Sequence, residues 1–240
     1  MIRIGCVNYT NSIPFLYGIK NKPFAKEMEV TLQTFSPAEC AKALLDNTID
    51  IGLVPVAILP LLPYYKIISD YGIAADGKVQ SVLLCSECPI QEVETLLLDF
   101  ESRTSIQLAT ILCKNYWHIQ PVLEPAKQHY QQKIKGTTAG VIIGDKAFNL
   151  GYTYQYDLAE MWKNHTNLPF VFAVWATTLP SLDTEIIRVF NQALQYGVES
   201  IPALSKLYPD NETYWTQYIH YYLDERKKQG LELFLSWIGK

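Results

Sequence analysis

Positive charge is thin in this sequence, and what there is does not cluster. Lys and Arg number 20 against 24 Asp and Glu, a formal net charge of −4, and the one short basic run is Arg226-Lys227-Lys228. A nucleic-acid surface needs a basic face, so that class of partner is not expected. Long apolar runs are missing as well. Crossing a bilayer takes roughly 20 apolar residues, and the nearest stretch, 49–62, is interrupted by Asp50, Pro55 and Pro60. The start, Met-Ile-Arg-Ile-Gly-Cys-Val-Asn, reads as a strand rather than as a secretory signal. The expectation is a cytoplasmic protein with no membrane partner.

Histidine is scarce too. His118, His129, His165 and His220 are the whole set, and none falls at the end of a predicted strand, where catalytic groups of α/β proteins gather. That argues against a Ser–His or Cys–His nucleophile and against a His-ligated metal. The five cysteines, an odd number, fit a reducing compartment. Cys85 and Cys88 form a C-x-x-C, but Pro89 follows in a loop, and Cys6, Cys40 and Cys113 stand singly, so neither zinc nor redox chemistry is expected. Both glycine-rich phosphate signatures are absent. No metal and no cofactor is expected.

What is present is a core-forming composition, with 49% hydrophobic residues, 16 Tyr and 9 Phe. The elements read as α/β. Residues 2–8 and 29–35 are strands, with a short helix after Asn11 or Ser12 as its cap. Ser36-Pro37-Ala38-Glu39 is a capping box that opens a helix to about Asp46, and 49–55 is a strand ended by Pro55. Strand, helix and strand with short links predict a parallel sheet. A loop with Gly72 and Gly77 precedes a strand at 79–85. Further strands are predicted at 96–99, 140–144 and 170–176, and a helix opens at Ser102. From Asp183 the chain reads as wholly helical, with Asn211 or Asp210 capping one helix and Gly230 separating the last.

No Gly-, Pro- or Ser-rich linker divides the chain. The apolar strands 79–85 and 170–176 enclose a complete α/β block, which predicts two lobes. Lobe 1 is discontinuous (1–82 plus 177–240) and lobe 2 spans 83–176, with the ligand in the cleft between them. In open parallel sheets ligands sit beyond the carboxyl ends of strands, where helix N-termini converge. Tyr9–Ser12, Pro55–Val56, Ser102–Ser105 and Gly144–Asp145 occupy such places. Ser102-Arg103-Thr104-Ser105 offers three hydroxyls and a helix dipole to an anion, or simply a cap with Arg103 exposed. Asn11 and Asp145 read equally as caps, and Ser81 as a small strand residue unless its strand crosses the cleft.

Taken in order, Val7–Pro14, Asp50–Val56, Gly77–Val82, Leu98–Ser105, Ile143–Ala147, Tyr156–Ala159 with Trp162, and Leu168–Trp175 resemble the chorismate dehydratases of the futalosine route to menaquinone. The resemblance covers essentially the whole chain. It implies a type II periplasmic-binding-protein-like fold and a lyase that removes water from a dicarboxylate, chorismate, to give 3-[(1-carboxyvinyl)oxy]benzoate. In this reading Asn11 and Ser81 are catalytic. Tyr9, Pro55, Ser102, Arg103, Thr104, Ser105, Gly144 and Asp145 bind substrate. The general base is either Asp145 or the substrate's own enolpyruvyl carboxylate. A non-catalytic binding protein for a small carboxylate and the sister dihydroxynaphthoate synthase, which shares the fold, are the alternatives.

Overall fold

The computed structural model describes residues 2–21, 29–99, 102–127, 129–148 and 150–238. The N-terminal third builds as its patterning dictates. Strand β1 (Ile2–Val7) leads through a single 3-10 turn (Thr10–Ser12) into α1 (Ile13–Lys20). Strand β2 is Val30–Phe35, helix α2 is Pro37–Leu45 and strand β3 is Ile51–Pro55. Both halves of the capping box form: Glu39 N donates to Ser36 Oγ and Ser36 N to Glu39 Oε2. Strands β2 and β3 pair in parallel on either side of β1. At α1 the expected cap is not made. Ser12 spends its hydroxyl on Asn11 Oδ1 at 3.1 Å.

The expected loop around Gly72 is instead the ten-residue strand β4 (Lys66–Ala75). Gly72 breaks the local pattern because β10 (Phe170–Thr177) runs so close that a Cβ there would sit 2.6 Å from Ala173 O. Only glycine fits such an approach. Strand β10 pairs antiparallel with both β3 and β4. It therefore belongs to the first sheet, whereas the sequence reading placed residues 170–176 with the second lobe.

The second sheet contains β5 (Val82–Ser86), β6 (Thr95–Leu98), β7 (Val122–Pro125), β8 (Thr138–Ile143) and β9 (Tyr154–Asp157), in the order β7-β6-β8-β5-β9. Its helices are α3 (Arg103–Asn115) and α4 (Leu158–Thr166). The C-terminal region is not wholly helical. Helices α5 (Thr184–Glu199) and α6 (Ile201–Leu207) lead to a π-helical turn, Tyr214–Tyr218, and then to strand β11 (His220–Tyr222). That strand completes the first sheet, whose order is β11-β4-β10-β3-β1-β2. Asp183 caps α5, as its sequence suggests. Pro209–Asn211 is a 3-10 turn with no side-chain cap, and α7 (Glu225–Ile238) runs unbroken through Gly230. Gly230 is there for packing, since a Cβ would lie 2.1 Å from Pro169 O. Among the described residues no helix is long and apolar enough to cross a membrane.

One apolar core runs through both sheets, and a smaller cluster with Leu83, Leu97, Tyr130 and Ile142 covers the far face of the second. An aromatic joint links the layers. Trp162 of α4 meets Phe170 at 5.3 Å, Trp237 at 5.2 Å and Phe234 at 6.1 Å, each edge-on.

The first crossing between the sheets, 76–81, is held by one carboxylate. Asp157 Oδ2 accepts from Val79 N at 2.9 Å and Gln80 N at 2.7 Å. Its Oδ1 caps α4 through Ala159 N at 3.1 Å and Glu160 N at 3.2 Å. Burial pushes the Asp157 carboxyl up, and these amides oppose that shift. Gln80 sits at φ 63, a left-handed conformation that a non-glycine residue keeps only when its surroundings enforce it. The expected strand therefore starts at Val82 rather than at Val79. Replacing Asp157 with Ala removes a helix cap and strands amides of the crossing, so urea unfolding should register a loss of about 2–3 kcal/mol, with Asp157→Asn in between. A loss well below about 1 kcal/mol would show that water replaces the carboxylate there.

Candidate active site

The carboxyl ends of β1, β3 and β8 and the N-terminus of α3 converge where the crossing segment passes between the sheets. They enclose a cavity of about 70 Å³. Eight of the ten residues named from sequence line it: Tyr9, Asn11, Pro55, Ser81, Ser102, Thr104, Ser105 and Gly144. Its walls are otherwise apolar, with Val7, Ile73, Val82, Ile143 and Phe172 among them.

Arg103 and Asp145 do not line it. Arg103 is exposed on the first turn of α3 and borders a separate groove beside Pro60, Leu61 and Ile238. The helical period turns its side chain away while carrying Ser102 and Ser105 inward. Asp145 is exposed in the 3-10 turn Gly144–Ala147 that follows β8.

The hydroxyls at the start of α3 divide their work. Ser102 Oγ caps Ser105 N at 3.2 Å and lies 2.8 Å from Ser105 Oγ. Thr104 instead ties the sheets together. Its Oγ1 accepts from Ala57 N at 3.2 Å and donates to Phe172 O at 3.4 Å. Ser102 and Ser105 line the cavity, both buried at the positive end of a 13-residue helix whose first-turn amides have no intrahelical acceptor.

Asn11 and Ser81 line the same cavity. Ser81 is buried, and its carbonyl accepts from Gly144 N at 2.8 Å, fixing the end of β8 to the crossing segment. Gly144 has φ 63, and a Cβ there would meet the Tyr9 ring at 2.9 Å. Tyr9 therefore lies directly on Gly144, closing the first sheet's loop onto the second sheet. Asn11 Oδ1 accepts from Ser12 Oγ, and the Asn11 side chain also hydrogen-bonds the Tyr214 hydroxyl.

Sequence reasoning missed the C-terminal contributors. Tyr214 donates to Ser81 Oγ at 2.7 Å, Trp215 Nε1 to Thr10 O at 2.8 Å and Tyr221 to Asn11 O at 3.0 Å. Burial raises the Tyr214 phenol above the ordinary tyrosine range, and a hydrogen bond from the Asn11 side chain opposes that shift. No sequence pattern marks these residues, because they reach the site through a π turn and a three-residue strand. Among the described residues, no group of three or more His, Cys, Asp or Glu is placed to hold a metal ion. Cys85 is buried in β5, where burial lifts its thiol to about 12, and Cys88 is a free thiol in the following turn.

Known proteins share this arrangement of layers. Protein AF1704 from Archaeoglobus fulgidus superposes with a TM-score of 0.74 at 14% identity, over 99% of this chain and 96% of that one. The Candida albicans CA3427 gene product, described as having the generic periplasmic binding protein structural fold, gives 0.63 at 12% identity, over 100% and 90%. The Escherichia coli aliphatic sulphonate binding protein SsuA gives 0.56 at 15% identity, over 98% and 91%. The fold is thus periplasmic-binding-protein-like. In sequence, a chorismate dehydratase from Thermus thermophilus is 24% identical over 98% of this chain and 94% of its own length. A family model described as menaquinone biosynthesis matches residues 2–240, and the chain belongs to that family.

Proposed function

We propose that the chain is a carbon–oxygen lyase that removes water from chorismate to give 3-[(1-carboxyvinyl)oxy]benzoate. The observation that carries this reading is that one small, largely apolar cavity is lined both by a hydroxyl-bearing helix N-terminus and by Asn11 and Ser81. The Thermus thermophilus relative supports it.

Chorismate carries a hydroxyl and an enolpyruvyl ether on neighbouring ring carbons. The hydrogen on the ether-bearing carbon is acidic because the ring carboxylate accepts charge through the diene. Loss of that proton, formation of the ring double bond and departure of hydroxide give an aromatic ring and water. Ser102 and Ser105, with the first-turn amides of α3, hold the ring carboxylate. There its charge is stabilised by hydroxyl donors and the helix dipole as the proton leaves. Asn11 and Ser81 donate hydrogen bonds to the departing hydroxyl. Asp145 stands outside the cavity, so the substrate's own enolpyruvyl carboxylate takes the adjacent proton. Proton transfer to a group held in place is worth about 10²–10⁴-fold. A cavity of about 70 Å³ is smaller than the roughly 300–1,000 Å³ of ordinary ligand pockets. Substrate entry therefore needs the cavity to widen, and we place that movement at the Tyr9–Gly144 contact, whose reclosure would exclude water during the reaction.

Purified protein mixed with chorismate in metal-free buffer should yield a product lighter by one water, and Asn11→Ala should lower kcat on the order of 10²-fold. Chorismate that raises the melting temperature yet stays unchanged would point to a binding protein instead. Asp145→Asn should turn over within about twofold of the parent, whereas a loss near the 10²–10⁴-fold worth of a placed base would assign the proton to Asp145. Gly144→Ala should raise KM and lower kcat together, because the added methyl meets the Tyr9 ring at 2.9 Å. Unchanged kinetics in that variant would mean that Tyr9 does not close on Gly144 during turnover.

A further inference from the structure

The hydroxyl of Ser81 is held by a residue 133 positions away in the chain. Tyr214 is buried, does not itself line the cavity, and packs edge-on against Phe148 at 5.1 Å. It opens the π-helical turn Tyr214–Tyr218, a rare feature that recurs at functional sites. Burial keeps its phenol protonated at neutral pH, so it is a standing hydrogen-bond donor.

A serine hydroxyl has one hydrogen to give and lone pairs to receive. Tyr214 fills one of the lone-pair positions of Ser81 Oγ at 2.7 Å. The Ser81 hydrogen must then go to a different acceptor, and Ser81 faces the cavity. We infer that Tyr214 is a positioning residue, whose donated hydrogen bond sets the Ser81 hydroxyl with its hydrogen directed into the cavity. The identity of the receiving oxygen, the departing hydroxyl of the substrate, rests on the function proposed above; the geometry does not. The same C-terminal segment holds the loop of Asn11 through Trp215 and Tyr221. One stretch of chain thereby sets both polar groups on that side of the site.

A phenol that only filled space would lower stability without coupling to Ser81. Tyr214→Phe removes the hydroxyl and leaves the ring, so it separates the two roles. With chorismate as substrate, Tyr214→Phe should lower kcat about tenfold, the scale of one neutral hydrogen bond, with KM held within about twofold. In a Ser81→Ala background the same substitution should cost clearly less than in the parent, the remainder coming from the Tyr214 hydrogen bond with the Asn11 side chain. An equal loss in both backgrounds, or none in either, would overturn the inference. Should the parent protein not turn over chorismate, the function proposed above fails. The inference is then decided by the crystal structure of Tyr214→Phe alone: a Ser81 hydroxyl turned to a new rotamer upholds it, and an unmoved one overturns it.

Discussion

Asp157 divides its two oxygens between segments that have to meet. Oδ2 takes the amides of Val79 and Gln80, and Oδ1 takes those of Ala159 and Glu160 at the start of α4. The first pair forces Gln80 into a left-handed turn just before Ser81. Without that turn the crossing segment would run straight into β5, and the alternation of a strand would set the Ser81 side chain differently. With it, the Ser81 carbonyl receives the end of β8 and its hydroxyl receives Tyr214. A carboxylate outside the cavity thus decides what the cavity presents to a ligand.

The two sheets are joined around this point by short-range contacts of different kinds. Thr104 bridges α3 to Ala57 and Phe172, Tyr9 lies on Gly144, and Trp162 anchors α4 to β10 and α7. The polar bridges sit at the cavity and the aromatic joint lies away from it. Separating the two hydrogen bonds and the ring contact at the cavity would cost far less than disrupting the packed aromatic cluster.

Much of the site was legible in the sequence because strand ends and helix starts declare themselves locally. The capping box at Ser36, the hydroxyl-rich start at Ser102 and the proline that ends β3 are signals carried by a few adjacent residues. Arg103 and Asp145 read as site residues because they sit in the right segments, yet each points away from the cavity by helical or 3-10 periodicity. What stayed hidden depends on distant partners. Gly72 and Gly230 look like breaks in a pattern, but they are close-approach positions against Ala173 O and Pro169 O. Tyr214 and Tyr221 look like aromatics in a helical tail, and only the fold brings them to Ser81 and Asn11. The strand at 220–222 is three residues long and exists because β4 is there to pair with it.

In the proposed complex, one molecule of chorismate lies with its ring carboxylate at the start of α3 and its hydroxyl against Asn11 and Ser81. A crystal structure of the Asn11→Ala protein soaked with chorismate tests this most directly. The expected electron density has a carboxylate within hydrogen-bond distance of Ser102 and Ser105, with the ring hydroxyl facing Ser81. Chorismate bound in the reverse sense, with its hydroxyl at Ser102 and Ser105, or bound elsewhere on the protein, would contradict it.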